Sequence, residues 1–291
     1  MNLHQLQWHD VLGLSVLAAV VTTLGSLAAT ILKEFFFARS VERWKSQQQL
    51  REVYLKLRDP LLLATIDMVH RFIEIAFETQ VDFLESSLLK SNPNKMSINS
   101  AHDPYFQRYK LISTLYRLCA WFGWVELYRQ QVAFLDSGQQ KTNSDFERHI
   151  QVLRSSFADG NLNQANDWQD WNDYLIFREE QRAIGEILLE HDRPSVIGYG
   201  DFNDRLLSPT PDQENRWITI ALHFLMDFRS VPEDGNRDFR KARCLLIIKH
   251  GVSLIECLNR KRITQYLKQA RTRAEHELLA FKINSDAVIR R

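Results

Sequence analysis

The chain has 291 residues, an ordinary apolar fraction of 45 %, three cysteines and a formal net charge of +1. Cys119, Cys244 and Cys257 are an odd number, form no C-x-x-C pair and have no His at zinc-finger spacing. That argues against a disulfide framework and a structural zinc site and fits a reducing compartment. With only 10 glycines and 7 prolines, long helices are favoured over a many-turned sheet.

Val11 to Leu32 are 22 consecutive residues without a charge. At about 1.5 Å per residue, a helix of that length crosses the ~30 Å hydrocarbon core of a bilayer. The run is sorted by size: Ser15, Ala18, Ala19, Thr22, Thr23, Gly25, Ser26, Ala29 and Thr30 fall within one arc of about 160°. Leucine, isoleucine and valine fill the other side. A small, hydroxylated face suits a helix that touches copies of itself or lines a wet lumen. Ser15, Ala18, Ala19, Thr22, Ser26, Ala29 and Lys33, the last at the cytoplasmic mouth, are therefore the expected pore-lining or helix-packing residues of a homo-oligomer. A pore takes about four or more copies, and a dimer would use the same small face.

No Lys or Arg precedes the run, whereas Lys33, Arg39, Arg43 and Lys45 follow it. A signal peptide carries its basic residues on the other side. The positive-inside rule then predicts a single-pass protein of a bacterial inner membrane, with the N-terminus periplasmic and the body cytoplasmic. Trp8 is expected at the outer interface, and Phe35, Phe36 and Phe37 at the inner one.

Three parts are expected in chain order: the transmembrane segment 1–32, a stalk helix 33–59 continuing it, and a cytoplasmic body 60–291. Arg58-Asp59-Pro60 predicts a helix break, because Pro suits a first helical turn and disfavours α geometry in the residue before it. The body reads as all-α, with helices over 61–84, 105–135, 145–157, a stretch after Trp168 and Trp171 ending by Glu190, and then 215–229, 238–258 and 263–281. Polar loops are expected at 91–103, 136–144 and 158–167, and 191–213 is the least regular stretch. The helix over 105–135 belongs at the centre of the core, where Trp121, Phe122, Trp124 and Tyr128 are read as packing instead of base stacking.

No catalytic residue, metal or cofactor is expected. Arg-x(4–6)-His, a loose signature of all-helical RNases of the HEPN group, occurs three times, as Arg216 with His223, Arg243 with His250, and Arg271 with His276. Chance alone supplies about two such matches in a chain with this many Arg and His. Phosphate-binding glycine loops are absent, and Gly198 with Gly200 completes neither common pattern. Arg178, Glu179, Glu180, Arg182 and Glu186 are read as i,i+3 and i,i+4 pairs on a solvated helix, with a functional polar cluster as the alternative.

The basic tail end of the chain carries more weight. From Arg237 to Arg291 there are 14 Lys plus Arg against 5 Asp plus Glu, a surplus of nine. Arg240 and Arg243 lie near the start of one helix, Arg260, Lys261 and Arg262 at its end, and Lys268, Arg271 and Arg273 on the next. If the last two clusters share a face across the turn, they form a groove suited to a phosphate backbone. These eight residues are the expected contacts for an oligonucleotide or nucleotide signal; self-pairing with the acidic remainder of the chain, or a solvated surface, is the alternative.

Two strings, Trp121-Phe-Gly-Trp-Val-Glu-Leu-Tyr-Arg129 and Arg178-Glu-Glu-Gln-Arg-Ala-Ile-Gly-Glu186, resemble segments of uncharacterised bacterial membrane-anchored helical proteins. The layout resembles pore-forming effectors of bacterial anti-phage systems of the Hailong type, whose channel subunit assembles through N-terminal hydrophobic helices and is held closed by an oligonucleotide. The resemblance implies a ligand-controlled membrane pore and carries over no functional residue. The leading expectation is thus a non-enzymatic oligomeric pore whose body senses an anionic ligand. A non-conducting membrane scaffold and a membrane-anchored HEPN-like RNase are the alternatives.

Overall fold

The computed structural model describes residues 8–77, 82–90, 103–133, 144–159, 174–206, 215–228 and 239–281. Among these the chain is all-α, as expected. The helices are α1 (Trp8–Phe77), α2 (Ser87–Lys90), α3 (Pro104–Ala133), α4 (Ser144–Ala158), α5 (Arg178–Ile187), α6 (Tyr199–Leu206), α7 (Arg216–Leu225), α8 (Phe239–Asn259) and α9 (Gln265–Ala280). Short 3₁₀ turns occupy Asp82–Leu84 and Arg260–Arg262. Most of the expected loops at 91–103, 136–144 and 158–167, together with Trp168 and Trp171, lie outside the described residues.

Two expectations are corrected. α1 does not break at Arg58-Asp59-Pro60 but runs through Pro60 to Phe77. A proline inside a helix removes one backbone hydrogen bond and crowds the preceding turn, at a cost of about 3 kcal/mol. Burial of Leu57, Leu61 and Leu62 on either side of it outweighs that cost. The irregular stretch 191–213 contains α6, seated by Phe202, which is fully buried against Tyr116. An isolated antiparallel bridge between Leu189 and Val196 closes the turn before it.

The chain divides into two compact units, Met1–Glu52 and Val53–Arg291. The second holds the hydrophobic core. Leu61, Met68, Val69, Phe72 and Ile75 of α1 are buried in it, as are Leu111, Leu115, Leu118, Trp121 and Phe122 of α3 and Leu245 to Ile248 of α8. Phe157 of α4 is ringed by Phe72, Trp121, Phe122 and Phe224 at centroid distances of 5.2–6.2 Å. Trp121 Nε1 donates to Thr65 Oγ1 at 3.2 Å, so the largest core side chain meets α1 without leaving its N–H unpaired. Packing is thus the role of Trp121, Phe122 and Tyr128, which are all buried, while Trp124 is half-buried against the same core.

Glycine sets how closely α8 meets α1. A Cβ built on Gly251 would lie 2.3 Å from Val69 Cγ2, and the stiff, branched Val69 side chain has little freedom to give way. Gly251→Ala should therefore destabilise the full-length protein by about 1–2 kcal/mol, the overpacking cost exceeding the gain in helix propensity. Urea unfolding in detergent measures this, and Val69→Ala in the same chain should restore part of the loss. An unchanged midpoint for Gly251→Ala would contradict the close crossing.

Candidate membrane segment and candidate anion interface

In the first unit, Ser15–Val41 is a helix long and apolar enough to cross a membrane, and none of its described side chains is buried within the chain. Its large apolar side chains stand open: Leu17, Leu24 and Phe36 are 66 %, 64 % and 67 % exposed. Monomeric soluble proteins rarely expose a contiguous apolar surface of this extent. Ser15, Ala18, Ala19, Thr22, Ser26, Ala29 and Lys33 are all exposed along the same helix.

The hydroxyls of this segment are satisfied locally. Thr22 Oγ1 donates to Ala18 O at 2.7 Å, Thr23 Oγ1 to Ala19 O at 2.7 Å, Ser26 Oγ to Thr23 O at 2.9 Å and Thr30 Oγ1 to Ser26 O at 2.8 Å. With each proton placed on the helix's own backbone, these residues would sit in hydrocarbon at low cost. What the small face offers a neighbouring helix is close approach more than hydrogen-bond donors.

In the second unit, the basic residues separate into two groups. Arg240 and Arg243, expected as ligand contacts, are only 5 % and 1 % exposed and are removed from that role. Arg240 Nη1 and Nη2 donate to Met226 O at 2.5 Å and Asp227 O at 3.1 Å, while its guanidinium lies over the Tyr174 ring at 4.0 Å. Arg243 Nη1 and Nη2 donate to Ser156 O and Asp159 O, both at 3.1 Å. These carbonyls belong to the carboxyl ends of α7 and α4, where helices leave acceptors without partners and favour positive charge. Burial pushes the Arg243 guanidinium down to about 10.

The remaining residues lie at the surface where α8 turns into α9. Arg260, Lys261 and Arg262 are exposed in the 3₁₀ turn, and Lys268 and Arg273 on α9. The two clusters do meet, but through a carboxylate. Glu256 pairs with Arg271 at 3.1 Å and lies 3.9 Å from Arg260. Arg273 points elsewhere, because a spacing of two residues puts it almost opposite Arg271 on the helix. It pairs with Glu277 at 3.1 Å and covers the Phe77 ring at 4.2 Å, and Glu277 also takes Lys241 at 3.2 Å. Lys261, Arg262 and Lys268 form no ion pair among the described residues. The candidate anion interface is therefore Arg260, Lys261, Arg262 and Lys268, with Arg271 drawn onto Glu256.

Sequence reasoning missed Glu256 and Glu277. Their positions carry a signal only once the helices are paired, since Glu277 bridges Arg273 on its own helix and Lys241 on α8, while Glu256 bridges Arg271 on α9 and Arg260 in the turn between them.

The three Arg and His pairs stand in different settings. Arg243 and His250 are buried in α8. Arg271 turns to Glu256, and His276, five residues on, lies about 140° away around α9. Arg216 and His223 share a face of α7 but are separated by about 10 Å of helix rise; they stack on Trp217 and Tyr174 respectively. Among the described residues no group of three or more His, Cys, Asp or Glu has the geometry to hold a metal ion. Cys119 and Cys244 are buried and Cys257 exposed, and none is in a disulfide.

No protein-family model, curated protein or solved structure matches the chain.

Arg243→Met should lower stability by about 2–4 kcal/mol in urea unfolding, because the carbonyls of Ser156 and Asp159 lose their donors inside the body. Arg262→Ala, on the exposed turn, should stay within about 0.5 kcal/mol of wild type. Equal effects of the two substitutions would contradict the division between structural and surface arginines.

Proposed function

We propose that this protein is a non-enzymatic, single-pass inner-membrane protein whose residues 11–32 assemble into a homo-oligomeric pore. Its cytoplasmic body binds an anionic ligand, an oligonucleotide or nucleotide signal, at the turn between α8 and α9 and thereby biases the membrane assembly. The carrying observation is the helix Ser15–Val41, exposed at its described side chains, whose charge-free run 11–32 is followed by Lys33, Arg39, Arg43 and Lys45. Lipid is the environment that turns those exposed leucines, valines and phenylalanines from a liability into a stabilising surface. The layout shared with anti-phage effectors of the Hailong type supports a role in defence.

One observation favours a second reading, a membrane-tethered scaffold without conductance. The segment's hydroxyls donate to their own backbone, so they place no demand on a water-filled lumen.

Expressed in bacteria, the protein should sediment with membranes and resist carbonate extraction, with a tag after Arg291 reached by protease only once the inner membrane is breached. Replacing Ala19, Thr22 and Ser26 by Leu should lower the detergent-solubilised oligomer mass and abolish conductance in planar bilayers, while Leu17→Ala and Leu24→Ala have milder effects. A monomer mass for the wild type would end the pore proposal, and an oligomer without conductance would select the scaffold.

The ligand is tested separately. Charge reversal of Arg260, Lys261, Arg262 and Lys268 should abolish binding of a single-stranded oligonucleotide. Wild-type affinity should fall with salt at a log–log slope of about −2 to −3, as three or four phosphates release counterions. No binding at low salt would remove nucleic acid from the proposal.

A further inference from the structure

The strings Trp121–Arg129 and Arg178–Glu186, separate in sequence, pack against each other. α5 meets α3 at Gly185, where an added Cβ would lie 2.7 Å from both Phe122 O and Glu126 Cβ. Beside this crossing the body buries polar groups instead of hydrocarbon: Glu126 and Gln181 are each 2 % exposed and Arg154 is 4 % exposed.

Two of the three are fully engaged. Glu126 accepts from Arg129 Nε at 2.8 Å, Arg129 Nη2 at 2.5 Å and Gln130 Nε2 at 3.0 Å. Gln181 Nε2 donates to Arg154 O at 3.0 Å and Ile176 O at 2.8 Å, and its Oε1 accepts from Arg154 Nε at 3.0 Å. Arg154 differs, because its partners are neutral: Gln181 Oε1 and, through Nη2, Arg178 O at 3.0 Å. It forms no ion pair among the described residues.

Like charges gather around it. Arg178 reaches α4, donating to Ser155 Oγ at 2.7 Å and Gln151 Oε1 at 3.3 Å, with Asp159 Oδ1 3.6 Å away. Arg182 lies one turn further along the same face of α5, exposed and forming no ion pair among the described residues. Burial, then Arg182 and Arg178, push the Arg154 guanidinium down to about 10, against the opposing pull of Glu126. A guanidinium taken out of water, with Glu126 already held by Arg129 as its nearby carboxylate, carries a desolvation cost that carbonyls offset only in part. Glu126 is taken up by Arg129 and Asp159 partly balances Arg178, which leaves Arg154 and Arg182 as about two positive charges. A phosphate group, with about −1.5 to −2 charge and oxygens matched to the guanidinium fork, supplies what is missing.

We propose that Arg154, Arg178 and Arg182 form a binding site for a small phosphate-bearing molecule, with Arg182 making the solvent-side contact. The site is distinct from the turn between α8 and α9 and does not depend on a membrane pore.

Thermal unfolding of the full-length protein in detergent, titrated with inorganic phosphate at ionic strength fixed by sodium chloride, tests it. The midpoint should rise by several degrees and saturate, since a ligand bound only by the folded state stabilises it by mass action. Arg182→Gln should weaken the apparent affinity about tenfold or more. Its phosphate-free midpoint should stay close to wild type, as expected of an exposed side chain. A variant with Arg260, Lys261 and Arg262 changed to Gln should respond as wild type does, which separates this site from the proposed oligonucleotide interface. Tighter binding of AMP than of phosphate would assign the site to phosphate monoesters, and equal or weaker binding to the free ion. No saturable rise beyond that given by chloride, or an unaltered response in Arg182→Gln, would overturn the proposal.

Discussion

Inside the body, four carbonyl groups near the carboxyl ends of α4 and α7 are given donors by two arginines of α8. Ser156 O and Asp159 O take Arg243, and Met226 O and Asp227 O take Arg240. Helix ends cannot be buried with their carbonyls unpaired, so this contact decides where α4 and α7 stop and where α8 lies between them. Other features follow from it. Asp227 adopts a positive φ of 51°, a conformation that Asp tolerates better than most residues. From there its N–H reaches Leu84 O at 2.8 Å and its carboxylate accepts from Ser86 N, which brings the segment after α1 onto the same junction. Gly251, two turns beyond Arg243, then lets α8 press against Val69.

The same economy governs the surface charge. The surplus of nine in the last fifth of the chain looks like a uniform basic module when counted by residue. Folded, it is divided: Arg240 and Arg243 serve carbonyls, Glu256 sits between Arg260 and Arg271, and Glu277 between Lys241 and Arg273. Among the described residues, what faces solvent without a carboxylate is a short edge around Lys261, Arg262 and Lys268. Such an edge acts over about 8 Å at physiological ionic strength, which suits local recognition of an anion more than long-range attraction. A second pair of arginines, Arg154 and Arg182, is concealed from any count of net charge because acidic residues surround them in sequence. The polar run from Arg178 to Glu186 is neither a plain solvated face nor a set of i,i+4 pairs: Arg178 and Gln181 tie α5 to α4, and Gly185 seats it on α3.

The N-terminal unit obeys different physics. Among its described residues no core forms, and the apolar side chains from Val16 to Trp44 remain 45–67 % exposed. Serine and threonine return their protons to the backbone four or three residues earlier, the arrangement that makes hydroxyls tolerable in hydrocarbon.

Composition and periodicity were sufficient for the helical class, for the apolar segment over 11–32 and for the bounds of α3, α4, α7, α8 and α9 to within a few residues, because these depend on local patterns of apolar spacing and caps. Asn215 and Thr264 cap α7 and α9 with side-chain acceptors, as such residues before an apolar run would indicate. Tertiary structure decided the exceptions. Pro60 reads as a stop, yet burial on both sides of it carries α1 through. α6 is too short to announce itself and exists because Phe202 finds Tyr116. The role of each arginine was likewise illegible, since the sequence states a charge, whereas a carbonyl, a carboxylate or solvent opposite that charge is supplied by residues distant along the chain. Arg243 and Arg262 look alike in sequence; only the folded body puts the first against Ser156 and Asp159 and the second in water.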